Sequence, residues 1–345
     1  MTTTQRQAEL ENCNFCKAIL MLLIVAYHVI LPWTGNWAWI GMKIPSEGLR
    51  YCAYWLNTFH IYAFTLISGY VYAFCRLEKD KYQTYGKLIR NKTGRLLVPY
   101  VFLMLLWVGP IEAAVQGYGW TGFVRTHLLG VNPQQLWFLL MLFGVFLAFY
   151  PLTSFFRDND IKGAAVAVAL YCIGTVCNRY IDDYFQIWQI CRFVLFFWLG
   201  FKIRQSWSGM LNRIPALLYI VVDLLLFAVT YLMPADTLIL NAIRSGLFML
   251  TCVVGAIMTF AVLQRIANKY TWKNSKIIVI FAKYSMPVYL IHQQVTYLLT
   301  IKLNGVISPY LQVPINFAFT ICVSLAISAF LHRFKLTRKM LGEKA

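Results

Sequence analysis

Acidic residues are scarce. The 345-residue chain holds 13 Asp and Glu against 31 Lys and Arg, and charged side chains make up only 13% of it, where an average soluble domain carries about 25%. With 60% of residues hydrophobic and 17% aromatic, a soluble globular protein is excluded. Long polar stretches are also missing. No connection between apolar runs exceeds about 20 residues, so a separate water-soluble catalytic domain has no room and any chemistry must sit within or beside a membrane. The chain shows no internal repeat, low-complexity stretch or linker, and no Walker or dinucleotide-binding glycine pattern. The close pair Cys13 and Cys16 has no second pair or nearby His to complete a zinc site, so it reads as structural and no metal is expected. Most of the nine cysteines lie in apolar runs, where Cys behaves as a small hydrophobe. The first apolar run follows a polar start and lacks a small-residue exit, so it reads as a first span rather than a signal peptide.

What is present is a series of apolar runs of bilayer-crossing length, about 17 to 25 residues each. Ten spans are expected: Ala18–Trp33, Tyr51–Cys75, Leu96–Ala114, Leu136–Phe156, Ile161–Cys177, Ile187–Ile203, Ile214–Met233, Leu238–Leu263, Ile277–Thr300 and Val313–His332. The fold class expected is therefore an all-α polytopic membrane protein, with one membrane domain over residues 1–345. The net charge of +18 is informative through its placement. With the N-terminus in the cytoplasm, 23 Lys and Arg fall on the cytoplasmic side and only Lys43, Arg50, Arg125, Arg179 and Lys302 on the other. The positive-inside rule then places both termini in the cytoplasm. Lipid is the partner this charge implies, and no nucleic-acid partner is expected. Trp33, Trp37 and Trp39 cluster just after the first span, where aromatic side chains favour the headgroup zone.

An ionisable side chain near the bilayer centre costs about 2.5 to 3.5 kcal/mol on insertion scales, so each one inside a span is a functional candidate. These are His28, His60, Arg192, Asp223, Arg244, Lys283 and His292. His28 lies about 16 Å along the first helix from Lys17, and His60, nine residues into the second span, falls near the same depth. Two neutral imidazoles meeting across adjacent helices would suit proton transfer near neutral pH; the plain alternative is a polar helix-packing contact. Asp223 with Arg192 or Arg244 reads equally as a substrate-binding group or a buried structural ion pair. A second cluster, Lys17 with Lys87, Arg90, Lys92 and Arg95, stands at the cytoplasmic entrance. Such cations serve either as ordinary anchors or as a site for a cofactor with several phosphates.

Phe15-Cys-Lys17 through Tyr27-His28 resembles the opening signature of the acyltransferase family 3 membrane proteins, in which a basic residue precedes an essential His with ten residues between them. Phe59-His60, Leu66-Ile-Ser68-Gly69-Tyr70, Lys92-Thr-Gly-Arg95 before Leu-Leu-Val-Pro-Tyr, Leu136-Trp-Phe-Leu, Arg192-Phe193 and Ser285-Met-Pro-Val-Tyr289-Leu-Ile-His292 follow in the order the family shows. Lys stands at positions 17 and 92 where Arg is commoner, keeping charge but not bidentate phosphate geometry. The branch this looks closest to is the fucose O-acetylase-like one. The resemblance implies a bacterial inner-membrane enzyme that moves acetyl from cytosolic acetyl-CoA to a sugar hydroxyl of an envelope polysaccharide or its lipid-linked precursor. It implies His28 as base or acyl-accepting nucleophile with His60 nearby, and Lys17, Lys92 and Arg95 as holders of CoA phosphates. Arg192, Asp223, Arg244 and His292 remain substrate-binding or structural. Ser68 reads as a small packing residue, since no paired base accompanies it.

The main competing reading is a multi-pass transporter of a sugar or anionic metabolite. Transporters commonly carry internal repeats and matching broken helices, and the sequence shows neither. A degenerate family member acting as a scaffold is a third reading.

Overall fold

The computed structural model describes residues 3–272 and 275–343, and among the described residues there are helices and turns but no strand. The principal helices are α1 Thr3–Ile30, α2 Glu47–Asn57, α3 His60–Ala73 and α4 Tyr85–Gln116. They continue with α5 Trp137–Phe149, α6 Asp160–Tyr180, α7 Ile187–Lys202 and α8 Ala216–Leu232. The last are α9 Leu238–Lys269, α10 Lys276–Leu303, α11 Pro309–Leu331 and the short α12 Lys335–Met340. Among the described residues, seven helical stretches are long and apolar enough to cross a membrane, while α5 and α8 are apolar but shorter. Each of the ten stretches expected from hydropathy is helical. The fourth is shorter than expected: α5 stops at Phe149 and the chain turns at Tyr150–Leu152, where Pro151 cannot supply the next helical N–H.

Two irregularities shape the interior. The second stretch breaks at Thr58–Phe59, where Phe59 leaves helical geometry (φ −138°) and the Thr58 hydroxyl donates back to the Trp55 carbonyl at 2.7 Å. His60 therefore opens α3 rather than sitting inside a continuous helix. In α4 the turns Thr93–Leu97 and Met104–Val108 widen to π-helical geometry. Pro99 and Pro110 explain both, because neither can donate to the carbonyl four residues back, that of Arg95 and of Leu106.

The closest crossing is that of α3 and α7, set by two glycines. A Cβ on Gly69 would stand 2.0 Å from the Phe197 carbonyl oxygen, and one on Gly200 would stand 1.8 Å from that of Leu66. With the backbones this close, large aromatics fill the flanks. Tyr62 stacks on Phe193 with centroids 5.0 Å apart, and Phe146 of α5 meets Phe197 edge-on at 5.0 Å. The central helix is α1, which packs against α3, α9, α10 and α11.

Gly69→Ala or Gly200→Ala should force the pair apart and cost about 1 to 3 kcal/mol, as overpacking of a tight contact does. Gly209, with open space beside its Cα, provides the control. Thermal melting of the detergent-solubilised protein should show a clear drop for the first two substitutions and none for Gly209→Ala.

Candidate active site

One face of α1 borders the interior along its length. Asn14, Lys17, Met21 and Ile24 line one cavity, and Ile24, Tyr27, His28 and Leu31 line a second. These positions recur in steps of three and four, the spacing of a single helical face. From Asn14 to Leu31 the stripe runs about 26 Å, close to the hydrocarbon thickness of about 30 Å. Each cavity has a volume of about 490 Å³, and Ile24 with Tyr289 belongs to the walls of both.

The first cavity is basic. Lys17 from α1, Lys81, Lys92 and Arg95 from the approach to α4 and its opening turns, and Lys283 from α10 all line it. Among the described residues none of the five forms an ion pair with a carboxylate. Lys92 Nζ instead sits 3.4 Å from the centroid of the Phe146 ring, a cation–π contact. The widened turn before Pro99 carries Arg95, and the chain end packs on the carbonyl that Pro99 leaves free. There a Cβ on Gly342 (φ +79°) would fall 2.7 Å from Arg95 O, while Leu341 is buried. Lys17 and Lys92 are half-buried while Lys81, Arg95 and Lys283 are exposed; like charges gathered at one mouth without paired acids repel one another, and an anion with several charges relieves that. Lys17, Lys92 and Arg95 were named from sequence as one cluster; the structure brings them together and adds Lys81, along with Lys283, which the sequence singled out only as a charge inside a span.

The second cavity is lined by amides and aromatic rings. Asn36, Asn57, Asn132, Gln116, Gln134 and Gln293 supply donors and acceptors, and Tyr27, Trp37, Trp39 and Trp137 supply flat apolar faces. His28 and His60 both line it. Their relation differs from the sequence expectation of two imidazoles meeting. The contact of His28 is with His292 of α10, whose Nε2 lies 3.2 Å from His28 Nδ1. His60 packs its ring against Tyr27 at 4.6 Å, and its Nδ1 reaches the Leu56 carbonyl at 2.6 Å. The helix break at Thr58–Phe59, invisible to a depth estimate along a straight helix, accounts for that difference.

The hydrogen bonds assign the tautomers. His28 Nδ1 is 2.9 Å from the Ile24 carbonyl and His292 Nδ1 is 2.7 Å from that of Tyr289. A carbonyl only accepts, so each Nδ1 carries the proton. His292 Nε2 is then a lone pair that shares the His28 Nδ1–H with the Ile24 carbonyl, and His28 Nε2 is left as a lone pair. Such an imidazole is a base and a nucleophile held in one orientation.

The remaining charged candidates lie elsewhere. Asp223 Oδ2 accepts from the Trp55 indole N–H at 2.9 Å and meets neither arginine proposed from sequence. Arg192 Nη1 donates to Gln189 at 3.2 Å and its guanidinium stands over Tyr171; Arg244 Nε donates to the Thr230 carbonyl at 3.1 Å and stands over Tyr231. None of the three lines either cavity. In place of the ion pair that was one of the two sequence readings, each group has a neutral amide, carbonyl or indole partner, while Asp223 Oδ1 and Arg192 Nε are buried without one. Sequence reasoning passed over Glu112, buried in α4. Its carboxylate accepts from Gln294 at 3.0 Å, Tyr297 at 2.8 Å and Gln116 at 2.6 Å, and so orients one wall of the amide cavity. The pairs Gln134-Gln135 and Gln293-Gln294, polar doublets beside apolar runs, were the available signal. Among the described residues no cluster of three His, Cys, Asp or Glu could hold a metal.

Residues 11–333 match the family model of an acyltransferase domain. That span includes α1 from Glu11 onward and everything through α11, hence nearly all of both cavities. The protein is a membrane acyltransferase, and the chain belongs to acyltransferase family 3. No curated protein and no solved structure matches it.

Outside the spans, His127 lies in the connection between α4 and α5 with Nε2 2.5 Å from the Tyr118 hydroxyl. Burial pushes its imidazole down to about 4 from the ordinary 6.5. The unfolded chain takes up this proton below about 6.5 and the folded one only near 4, so stability should fall as pH drops through that window. Melting temperatures read between those limits should decline for the wild type and flatten for His127→Gln.

Proposed function

We propose that this protein transfers an acyl group, most simply acetyl, from a cytosolic acyl-CoA to a hydroxyl of a sugar on an envelope polysaccharide or its lipid-linked precursor. The observation that carries the reading is the pairing on one face of α1. Lys17 stands among cations without acid partners at one end, and His28 presents its Nε2 lone pair about 16 Å further along. Phosphates of the donor suit the basic cavity, where Arg95 offers a planar fork and the lysines offer point charges. This end faces the cytosol in the proposed orientation, which agrees with the excess of Lys and Arg there. The amide cavity suits a sugar, since amides match hydroxyls in both donor and acceptor roles and indole faces cover apolar ring faces. Proposed as a bacterial inner-membrane enzyme of the fucose O-acetylase-like branch, the protein would receive donor and acceptor from opposite sides.

In a direct transfer, the acceptor oxygen attacks the thioester carbonyl while its proton passes to His28 Nε2. The C–O bond forms, the C–S bond breaks, and the proton leaves with the CoA thiol. In a stepwise transfer, the same Nε2 takes the acyl group first and the sugar oxygen then displaces it. Either route requires the Nδ1–H tautomer that Ile24 and His292 hold. His292 is thus a positioning residue: as positive charge develops on His28, its Nε2 accepts the strengthening bond from Nδ1–H. The pantetheine arm would pass Ile24 and Tyr289, the residues both cavities share, to bring the thioester to His28.

The test is transfer of radiolabelled acetyl from acetyl-CoA to glycan in membranes containing acceptor, with protein levels matched. His28→Ala should abolish transfer, a loss of at least about 100-fold. Equal transfer by wild type and His28→Ala would remove His28 from the chemistry, and no transfer by the wild type would overturn acetyl-CoA as donor.

Two further outcomes follow from the geometry. Lys92→Ala and Arg95→Ala should each raise KM for acetyl-CoA about tenfold with little change in kcat, as expected for lost ground-state binding. His292→Ala should lower kcat by about 10- to 100-fold and leave KM nearly unchanged, because it loosens an orientation that matters most in the transition state. Steady-state kinetics on reconstituted protein separates the two patterns.

A further inference from the structure

The segment joining α1 to α2 carries an aromatic residue in a conformation that its own backbone disfavours. Trp37 has φ +57° and ψ 45°, the left-handed region that an L-residue with a bulky side chain enters reluctantly. It lies between Asn36 and Ala38, both solvent-exposed, yet it lines the amide cavity. The indole lies nearly parallel to the His28 imidazole, with an interplanar angle of 29° and centroids 6.0 Å apart. It also meets the Tyr297 ring edge-on at 4.8 Å.

Ties on either side hold this geometry. Asn304, at the end of α10, accepts from Lys43 N at 2.9 Å and donates to the carbonyls of Ile40 at 3.3 Å and Gly41 at 3.0 Å. The Trp33 indole N–H bridges to the Ile44 carbonyl at 3.1 Å, and Asn36 is fastened to the Thr34 hydroxyl at 2.8 Å. The segment is thus strapped to the same helix that carries His292 and Tyr297. Strained backbone imposed by surrounding contacts commonly marks a functional position.

We propose that this strap is a water shield: it holds the Trp37 indole over His28 so that the sugar hydroxyl, and not water, reaches the acyl carbonyl. The inference rests on the acyltransfer reading above. Water at the same carbonyl would form the C–O bond in place of the sugar, break the C–S bond and yield free acetate, with the thiol leaving as before. Transfer and hydrolysis therefore share a donor and a base and differ only in which oxygen is admitted. An apolar indole gives water no hydrogen-bond partner on that side of the imidazole, whereas the apolar face of a sugar packs against it and displaces water from the space it borders.

The test uses Trp37→Gly, because glycine adopts this backbone freely and only the ring is lost. Trp37→Phe keeps a ring, and Asn304→Ala loosens the strap without changing a cavity residue. Thiol release from acetyl-CoA and label incorporated into glycan are measured together. The ratio of hydrolysis to transfer should rise about tenfold for Trp37→Gly, rise for Asn304→Ala, and stay near wild type for Trp37→Phe. In parallel, carbethoxylation of His28 by diethyl pyrocarbonate, read by peptide mass spectrometry, should quicken several-fold in the first two variants. An unchanged ratio in active Trp37→Gly, or unchanged His28 labelling, would overturn the shield. Absence of transfer by the wild type would instead strike the acyltransfer reading, and the labelling arm would still decide whether Trp37 covers His28.

Discussion

A polar side chain inside a hydrocarbon slab has two stable fates. It is tied to a partner within the protein, or it borders a cavity that water or substrate enters. Several charged and titratable groups in these helices can be compared this way, and the comparison shows where chemistry is possible. Lys202 is buried and paired with Asp160, and it also donates to the Arg157 carbonyl at 3.2 Å. Arg204 holds Glu78 through its Nε at 2.6 Å. Asp223, Arg192, Arg244 and Glu112 are fastened to indole, amide, carbonyl or hydroxyl partners. Lys17, Lys92, Arg95, His28 and His60 belong to the other class, since each borders a cavity.

The cavities owe their existence to the irregularities rather than to the regular helices. A straight, uniformly apolar helix packed on its neighbours leaves no room, and the α3–α7 crossing, closed by Gly69 and Gly200, shows how tight such packing becomes. Room opens where helices deform. Pro99 widens the turn that carries Arg95, and the break before His60 turns α2 away from the axis of α3. The rigid crossing and the deformed helices are complementary: the first fixes the frame, and the second makes the space in it. Ile24 and Tyr289, shared by both walls, keep the two spaces chemically distinct.

The helices were legible in the sequence because their signal is strong: the long apolar runs fold as helix, and among the described residues seven helical stretches are long and apolar enough to cross a membrane. The stripe on α1 was legible too, since Lys17 and His28 lie on one helix at a fixed spacing that needs no knowledge of neighbours. Pairings between helices were not. The depth argument placed His28 and His60 at one level but could not say which way each ring turns, and His292, 264 residues beyond His28, supplied the actual contact. Asp223 illustrates the same limit. Charge alone suggested an arginine, while the nearest donor was a Trp55 indole that carries no charge and so attracted no attention. Amide doublets such as Gln293-Gln294 are ordinary in composition, and only their convergence with Gln134, Gln135 and Glu112 gives them meaning.

On the proposed chemistry, a neutral imidazole as partner to His28 has a physical logic of its own. A carboxylate in that place would stabilise the protonated His28 more strongly, but it would carry a buried negative charge through every other step of the cycle. It would also stand beside the path of a donor already rich in negative charge. His292 costs no such charge. Its Nδ1–H is engaged by the Tyr289 carbonyl, so its Nε2 is a fixed acceptor whose hold on His28 strengthens only when positive charge appears there. The basic cavity supplies the positive potential for the donor, and the catalytic end stays neutral until the proton moves. Separating the two along one helix lets a polyanion be bound without bringing its charge to the imidazole that must accept a proton.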